Sequence, residues 1–121
     1  MTESLYRPHI LDHARNPRNR GVVGAATHGA ERANPRCGDR CHVTARVVDS
    51  VLEMVRFDGD GCALSTAAAS LLSEDAEGKR LGDMIVLTDD AFLELLGVSV
   101  TSGRIDCVLL PFTTLKNLRL L

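Results

Sequence analysis

Three cysteines and one carboxylate stand in positions where they could hold a metal ion or carry sulfur. Cys37 and Asp39 lie in Asn34-Pro35-Arg36-Cys37-Gly38-Asp39, and Cys62 lies in Asp58-Gly59-Asp60-Gly61-Cys62-Ala63. Cys107 stands near the start of the last helical segment. Zinc and iron both accept thiolates, and three sulfurs with one oxygen suit a tetrahedral ion, the carboxylate being the hardest and most exchangeable donor.

The elements between these residues must bring them together. Cys41, Val43, Ala45 and Val47 alternate with His42, Thr44 and Arg46, which predicts a strand with one apolar face. Asp49-Ser50 turns the chain, and Val51 to Phe57 predicts a second strand. An antiparallel pairing of the two returns the Cys37-Asp39 turn and the Cys62 turn to the same end of the sheet. Gly38, Gly59 and Gly61 keep these turns narrow, so a partner could reach the thiols.

Helices account for most of the remainder. Leu5, Tyr6, His9, Ile10 and His13 share a stripe at helical spacing, in a short helix that starts near Tyr6 or bends at Pro8 and ends near Arg15. Val22 to Ala33 reads as one irregular edge strand. After Cys62, Leu64, Ala67, Ala68, Leu71 and Leu72 recur with helical period, and Gly78 stops the pattern. The positive end of that helix dipole falls at Cys62 and would favour a thiolate there. Two short helices follow, one over Leu81 to Val86 and one capped by Thr88 and ended by Gly97. Val98 to Gly103 reads as a connector. Arg104 to Leu121 predicts a terminal helix with Leu115, Leu118 and Leu121 on one side and a start or kink at Pro111. Strands come before most of the helices, so the fold class is α+β, a small antiparallel sheet packed against helices on one face, in a single domain over 1–121.

The other thiol and the histidines have simpler readings. Cys41 shares a strand face with Val43, Ala45 and Val47 and reads as a core residue. His9 and His13 sit one helical turn apart without the Glu of a metalloprotease pair, so a packed helix face is expected. His28 and His42 are not assigned as ligands either. A zinc nucleobase deaminase would need His-x-Glu and Pro-Cys-x-x-Cys segments, and neither is present. Asp58-Gly59-Asp60-Gly61 has no P-loop lysine and carries two carboxylates that would repel phosphate.

A formal net charge of -2 with interspersed signs provides no footprint for nucleic acid or an acidic membrane. The first residues lack the basic-then-apolar pattern of a signal peptide, and no apolar run reaches the length of a membrane span. A cytoplasmic chain is the expectation. In that reducing compartment four cysteines point to metal ligands, reactive thiols or core residues rather than disulfides.

Several separated motifs, in order, resemble the U-type iron–sulfur cluster assembly scaffolds, the family of IscU, SufU and the N-terminal domain of NifU. They are Leu5-Tyr6-Arg7 with Ile10-Leu11-Asp12-His13, Asn16-Pro17-Arg18-Asn19-Arg20-Gly21, Asn34 to Asp39, Gly59 to Ser65 with Ala67 to Ser70, and Arg104-Ile105-Asp106-Cys107 with Leu110-Pro111. The resemblance implies a SufE/NifU-like fold in which Cys37, Asp39, Cys62 and Cys107 hold a transient iron–sulfur cluster or a zinc ion. It implies a cysteine desulfurase as sulfur donor and apo iron–sulfur proteins as acceptors, with a role closer to scaffold or sulfur carrier than to catalyst. Cys107 corresponds to the persulfide acceptor of IscU-like members, and Cys37 to that of SufU-like ones.

The subtype stays open. IscU-like members place a histidine before the third cysteine, where this chain has Asp106, and Arg104 matches the SufU-like pattern. The Leu-Pro-Pro-Val-Lys chaperone motif is replaced by Val98 to Gly103, yet the SufU-like insertion between Cys62 and Cys107 is also missing.

Overall fold

The structure is a computed structural model and describes residues 8–36, 38–97, 100 and 102–121. Its elements run α1 (Pro8–Arg15), β1 (His28–Ala33), β2 (Arg40–Val48), β3 (Val51–Asp58), α2 (Ala63–Ala76), α3 (Leu81–Ile85), α4 (Asp89–Leu96), α5 (Ser102–Lys116) and β4 (Arg119–Leu120). The four strands form one antiparallel sheet in the order β3-β2-β1-β4. The α+β class is as expected. Among the described residues no helix is long and apolar enough to cross a membrane.

The predicted hairpin is present, with Val43 opposite Phe57 and Ala45 opposite Val55. Leu52 and Val55 are three residues apart yet both buried, because a bulge beside Arg46 and Val47 inserts one extra residue in β3 and restores the inward face. Cys41, Val43, Ala45, Leu52, Val55 and Phe57 make the floor of the core. Leu64, Ala68 and Leu72 of α2, with Val108, Phe112 and Leu115 of α5, close it from above.

Helix α2 is buried on more than the predicted stripe. Ser70 and Ser73 are also enclosed, because α1 and the turn after it pack on α2: Ser70 Oγ accepts from the Arg18 N–H at 2.8 Å and Ser73 Oγ from Asn19 Nδ2 at 3.2 Å. His13 contacts Ser70 Oγ through Nδ1 at 2.6 Å and faces Glu74 at 3.5 Å, while His9 Nε2 donates to the Leu96 carbonyl at 2.9 Å. Both histidines therefore dock α1, as a packed helix face requires. Pro8 is the first residue of that helix, where its missing N–H costs nothing. The part of the predicted helix before Pro8 lies outside the described residues.

The outer edge of β3 is covered. Phe57 exchanges backbone bonds with Asn19 and Gly21, Leu52 does so with Gly78 and Lys79, and the Glu77 carboxylate accepts from the Val55 N–H at 2.9 Å. Few backbone groups are left there to recruit a foreign strand.

Three sequence expectations need correction. Only His28–Ala33 is strand in the weak region, and it is not an edge at its start, since β4 pairs with His28 and Gly29. Before it, Val23 and Thr27 spend their N–H groups on Thr44 Oγ1 and the Ala45 carbonyl instead of on a ladder. The connector is shorter than expected, because Ser102 and Gly103 are already helical; residues 98, 99 and 101 lie outside the described residues. The terminal helix ends at Lys116, and Arg119–Leu120 turn back to join β1, which leaves Leu121 80% exposed while Leu115 and Leu118 are buried. Pro111 sits inside α5, where it cannot donate to the Cys107 carbonyl one turn back.

Candidate metal and sulfur site

The two turns of the hairpin meet through backbone bonds. Arg40 N–H donates to the Asp60 carbonyl at 2.8 Å and Asp60 N–H returns to the Arg40 carbonyl at 3.1 Å, continuing the hairpin past the His42–Asp58 pair and the end of β3. Gly59 makes this closure possible. It has a φ of +132°, and a Cβ there would lie 2.2 Å from the Arg40 carbonyl oxygen.

Closure carries Asp39, the residue before Arg40, up against Gly61 and the start of α2. A Cβ on Gly61 would lie 3.0 Å from Ser65 Oγ and 3.6 Å from Asp39 Oδ2, so the glycine lets the carboxylate pack closely against the start of α2. That carboxylate oxygen is shielded from water and has no hydrogen-bond partner among the described residues. A buried carboxylate oxygen without a donor costs about 1–3 kcal/mol, a penalty that a cation would relieve.

Cys62 is the N-cap of α2. Its side chain accepts from the Ser65 N–H at 3.4 Å, and the residue is exposed to solvent. The loop before Asp39 is pinned at its base: Asn34 N–H donates to the Asp39 carbonyl at 2.8 Å, Gly38 N–H donates to the Asn34 carbonyl at 2.8 Å, and Asn34 Oδ1 accepts from the Arg36 N–H at 3.0 Å. Cys37 itself lies outside the described residues.

Cys107 enters from α5, just past its first turn, and is 9% exposed. The Asn34 amide nitrogen lies 3.9 Å from Cys107 Sγ, a contact that links the first loop to the third cysteine. Arg36 and Asp106 form an ion pair at 3.5 Å across the same gap. Loop, turn and helix thus converge from three separate parts of the chain. Among the described residues alone no three His, Cys, Asp or Glu side chains cluster as an ion cage. An oxygen at Asp39 and thiols at Cys62 and Cys107 are a donor set that suits zinc or iron.

Cys41 behaves as predicted. It is buried under the Gly59 turn, and its thiol is pushed up to about 11, chiefly by burial, with Thr114 opposing the rise and Asp58 adding to it. A thiol so protonated is a poor ligand at neutral pH. Sequence reasoning did not single out Asn34 or the Arg36–Asp106 pair. Asn34 carried a signal, since Asn before Pro favours a turn whose side chain binds its own backbone. The ion pair joins residues far apart in the chain and had no local signature.

The fold and this converging site define a class. Residues 5–117 match the NifU-like N terminal domain, and the chain belongs to that family. It is 33% identical to the zinc-dependent sulfurtransferase SufU of Bacillus subtilis, over 95% of this chain and 89% of that one. It is 37% identical to the iron–sulfur cluster assembly scaffold protein IscU of Aquifex aeolicus, over 91% of this chain and 71% of that one. The crystal structure of the N-terminal part of a nitrogen-fixing NifU-like protein from Brucella abortus superposes with a TM-score of 0.81, covering 96% of this chain and 92% of that one at 19% identity, a likeness of fold.

Proposed function

We propose that this protein is a scaffold and sulfur acceptor for iron–sulfur cluster assembly, with Cys37, Asp39, Cys62 and Cys107 as the residues that hold its cargo. The observation that carries this reading is the buried Asp39 Oδ2, which has no donor among the described residues and lies against Gly61, the residue before Cys62. Iron and the nascent cluster are substrates that arrive and leave. A carboxylate holds iron more loosely than a fourth thiolate would, so Asp39 makes the site releasable.

Sulfur arrives from a cysteine desulfurase as a persulfide. The thiolate of Cys107, or of Cys37, attacks the outer sulfur of the donor's Cys–S–SH. A new S–S bond forms, the donor's S–S bond breaks, and the donor leaves as a thiolate, so no external oxidant is required. The protein's own contribution is placement: Ser65 N–H meets the Cys62 sulfur, and Asn34 meets that of Cys107. Apo iron–sulfur proteins receive the product, in the cytoplasm.

A second reading is a zinc-dependent persulfide acceptor that builds no cluster. It is favoured by Arg104, three residues before Cys107, and by the 33% identity over 95% of this chain to the Bacillus subtilis sulfurtransferase. Zinc bound to this donor set would act as a Lewis acid that keeps thiols deprotonated. Metal and acid-labile sulfide analysis of anaerobically purified protein separates the readings: iron with sulfide supports the scaffold, zinc without sulfide the transfer role. In the scaffold case Asp39→Ala slows cluster release to an apo-acceptor. If reconstitution with iron and a desulfurase never yields a visible-absorbing cluster, the scaffold role fails.

A further inference from the structure

Arg36 and Asp106 each stand immediately before a proposed ligand, Cys37 and Cys107, and their side chains meet at 3.5 Å across the site. One is on the loop pinned by Asn34 and Asp39, the other on the exposed first turns of α5. With the Asn34–Cys107 contact at 3.9 Å, the pair joins that loop to α5 through side chains. The base of the loop is held by backbone bonds at 2.8 Å, and the Arg36 side chain beyond it is 84% exposed.

We propose that the Arg36–Asp106 ion pair is a clasp that holds the loop of the first cysteine against the helix of the third and slows the loss of a metal ion bound between them. The inference rests on the ligand assignment above and adds two positioning residues to it. Neither side chain needs to touch the ion. The pair shortens the time for which loop and helix are apart, and a tetrahedral centre is lost when one of its donors swings away. An exposed pair of this kind is weak and screened by salt, which suits a site that must also let its cargo go.

The test uses the full chain loaded with zinc as the probe and follows transfer to an excess of chromophoric chelator at low and high ionic strength. For the unaltered protein, release accelerates as salt rises. Arg36→Gln and Asp106→Asn each release zinc roughly two- to fivefold faster at low salt, with the salt dependence reduced. The double variant is no faster than either single one. The reversed pair, Arg36→Asp with Asp106→Arg, returns toward the original rate, which a merely structural role for either residue would not produce.

Additive single effects, or a reversed pair as fast as the single variants, would overturn the clasp. Failure of the unaltered protein to hold zinc or iron would sink the ligand assignment instead. The clasp is then decided in metal-free protein by a double-mutant cycle on the unfolding equilibrium. Coupling between Arg36→Gln and Asp106→Asn supports it, and strict additivity overturns it.

Discussion

Replacing Gly59 by alanine should unfasten the site without touching any proposed ligand. A Cβ at this position meets the Arg40 carbonyl oxygen at 2.2 Å and its carbonyl carbon at 2.9 Å, and the backbone φ is +132°. Backbone atoms cannot swing aside as a side chain does. The turn must open, with loss of the Arg40–Asp60 pair of hydrogen bonds at 2.8 and 3.1 Å. Two such bonds are worth about 2 kcal/mol together, and a non-glycine residue at positive φ adds about 1–2 kcal/mol. The expected loss of about 3–4 kcal/mol is a large part of the total stability of a small domain. Gly78→Ala is the control. Its φ is +88° but nothing lies within 4 Å of a Cβ there, so it bears only the conformational cost of about 1–2 kcal/mol. Urea unfolding of both variants, together with zinc titration of each, separates clash from strain. Equal destabilisation by the two substitutions, or undiminished zinc affinity in Gly59→Ala, would refute the claim that the Arg40–Asp60 closure assembles the site.

Other outcomes follow from the same structure. Burial, aided by the Arg18 charge, holds the His13 imidazole below its ordinary 6.5, with Glu74 and Asp12 opposing. The folded protein thus binds that proton less well than the unfolded chain. The associated stability is complete above the ordinary value and is lost as pH falls from there toward the folded-state value. Denaturation midpoints measured down from about pH 7 to about pH 5 should decline, and His13→Gln should flatten the decline. Iodoacetamide at neutral pH should modify exposed Cys62 and spare buried Cys41 until the protein is unfolded; equal rates would contradict the raised Cys41 thiol. The turn at Asp49 and Ser50 has φ of 51° and 68°, so Ser50→Gly should stabilise the hairpin by about 1 kcal/mol in urea unfolding.

Much of this protein is legible in its sequence because the relevant forces are local. Strand alternation from Cys41 to Val47 and the Thr88 and Gly97 caps of α4 all act within a few residues of themselves, and each reappears in the structure. The positions of the cysteine-bearing turns at one end of the hairpin also follow from pairing two adjacent strands. Other features depend on which surfaces finally meet. Leu121 was as apolar as Leu118, yet only pairing of Arg119–Leu120 with β1 decided that the helix would stop and leave it outside. The burial of Asp39 Oδ2, which carries the functional reading, required the Arg40–Asp60 closure to press one turn onto another. The Arg36–Asp106 pair joins charges that are 70 positions apart. Periodicity and turn chemistry are written along the chain. Desolvation and long-range charge pairing exist only once the chain has folded back on itself.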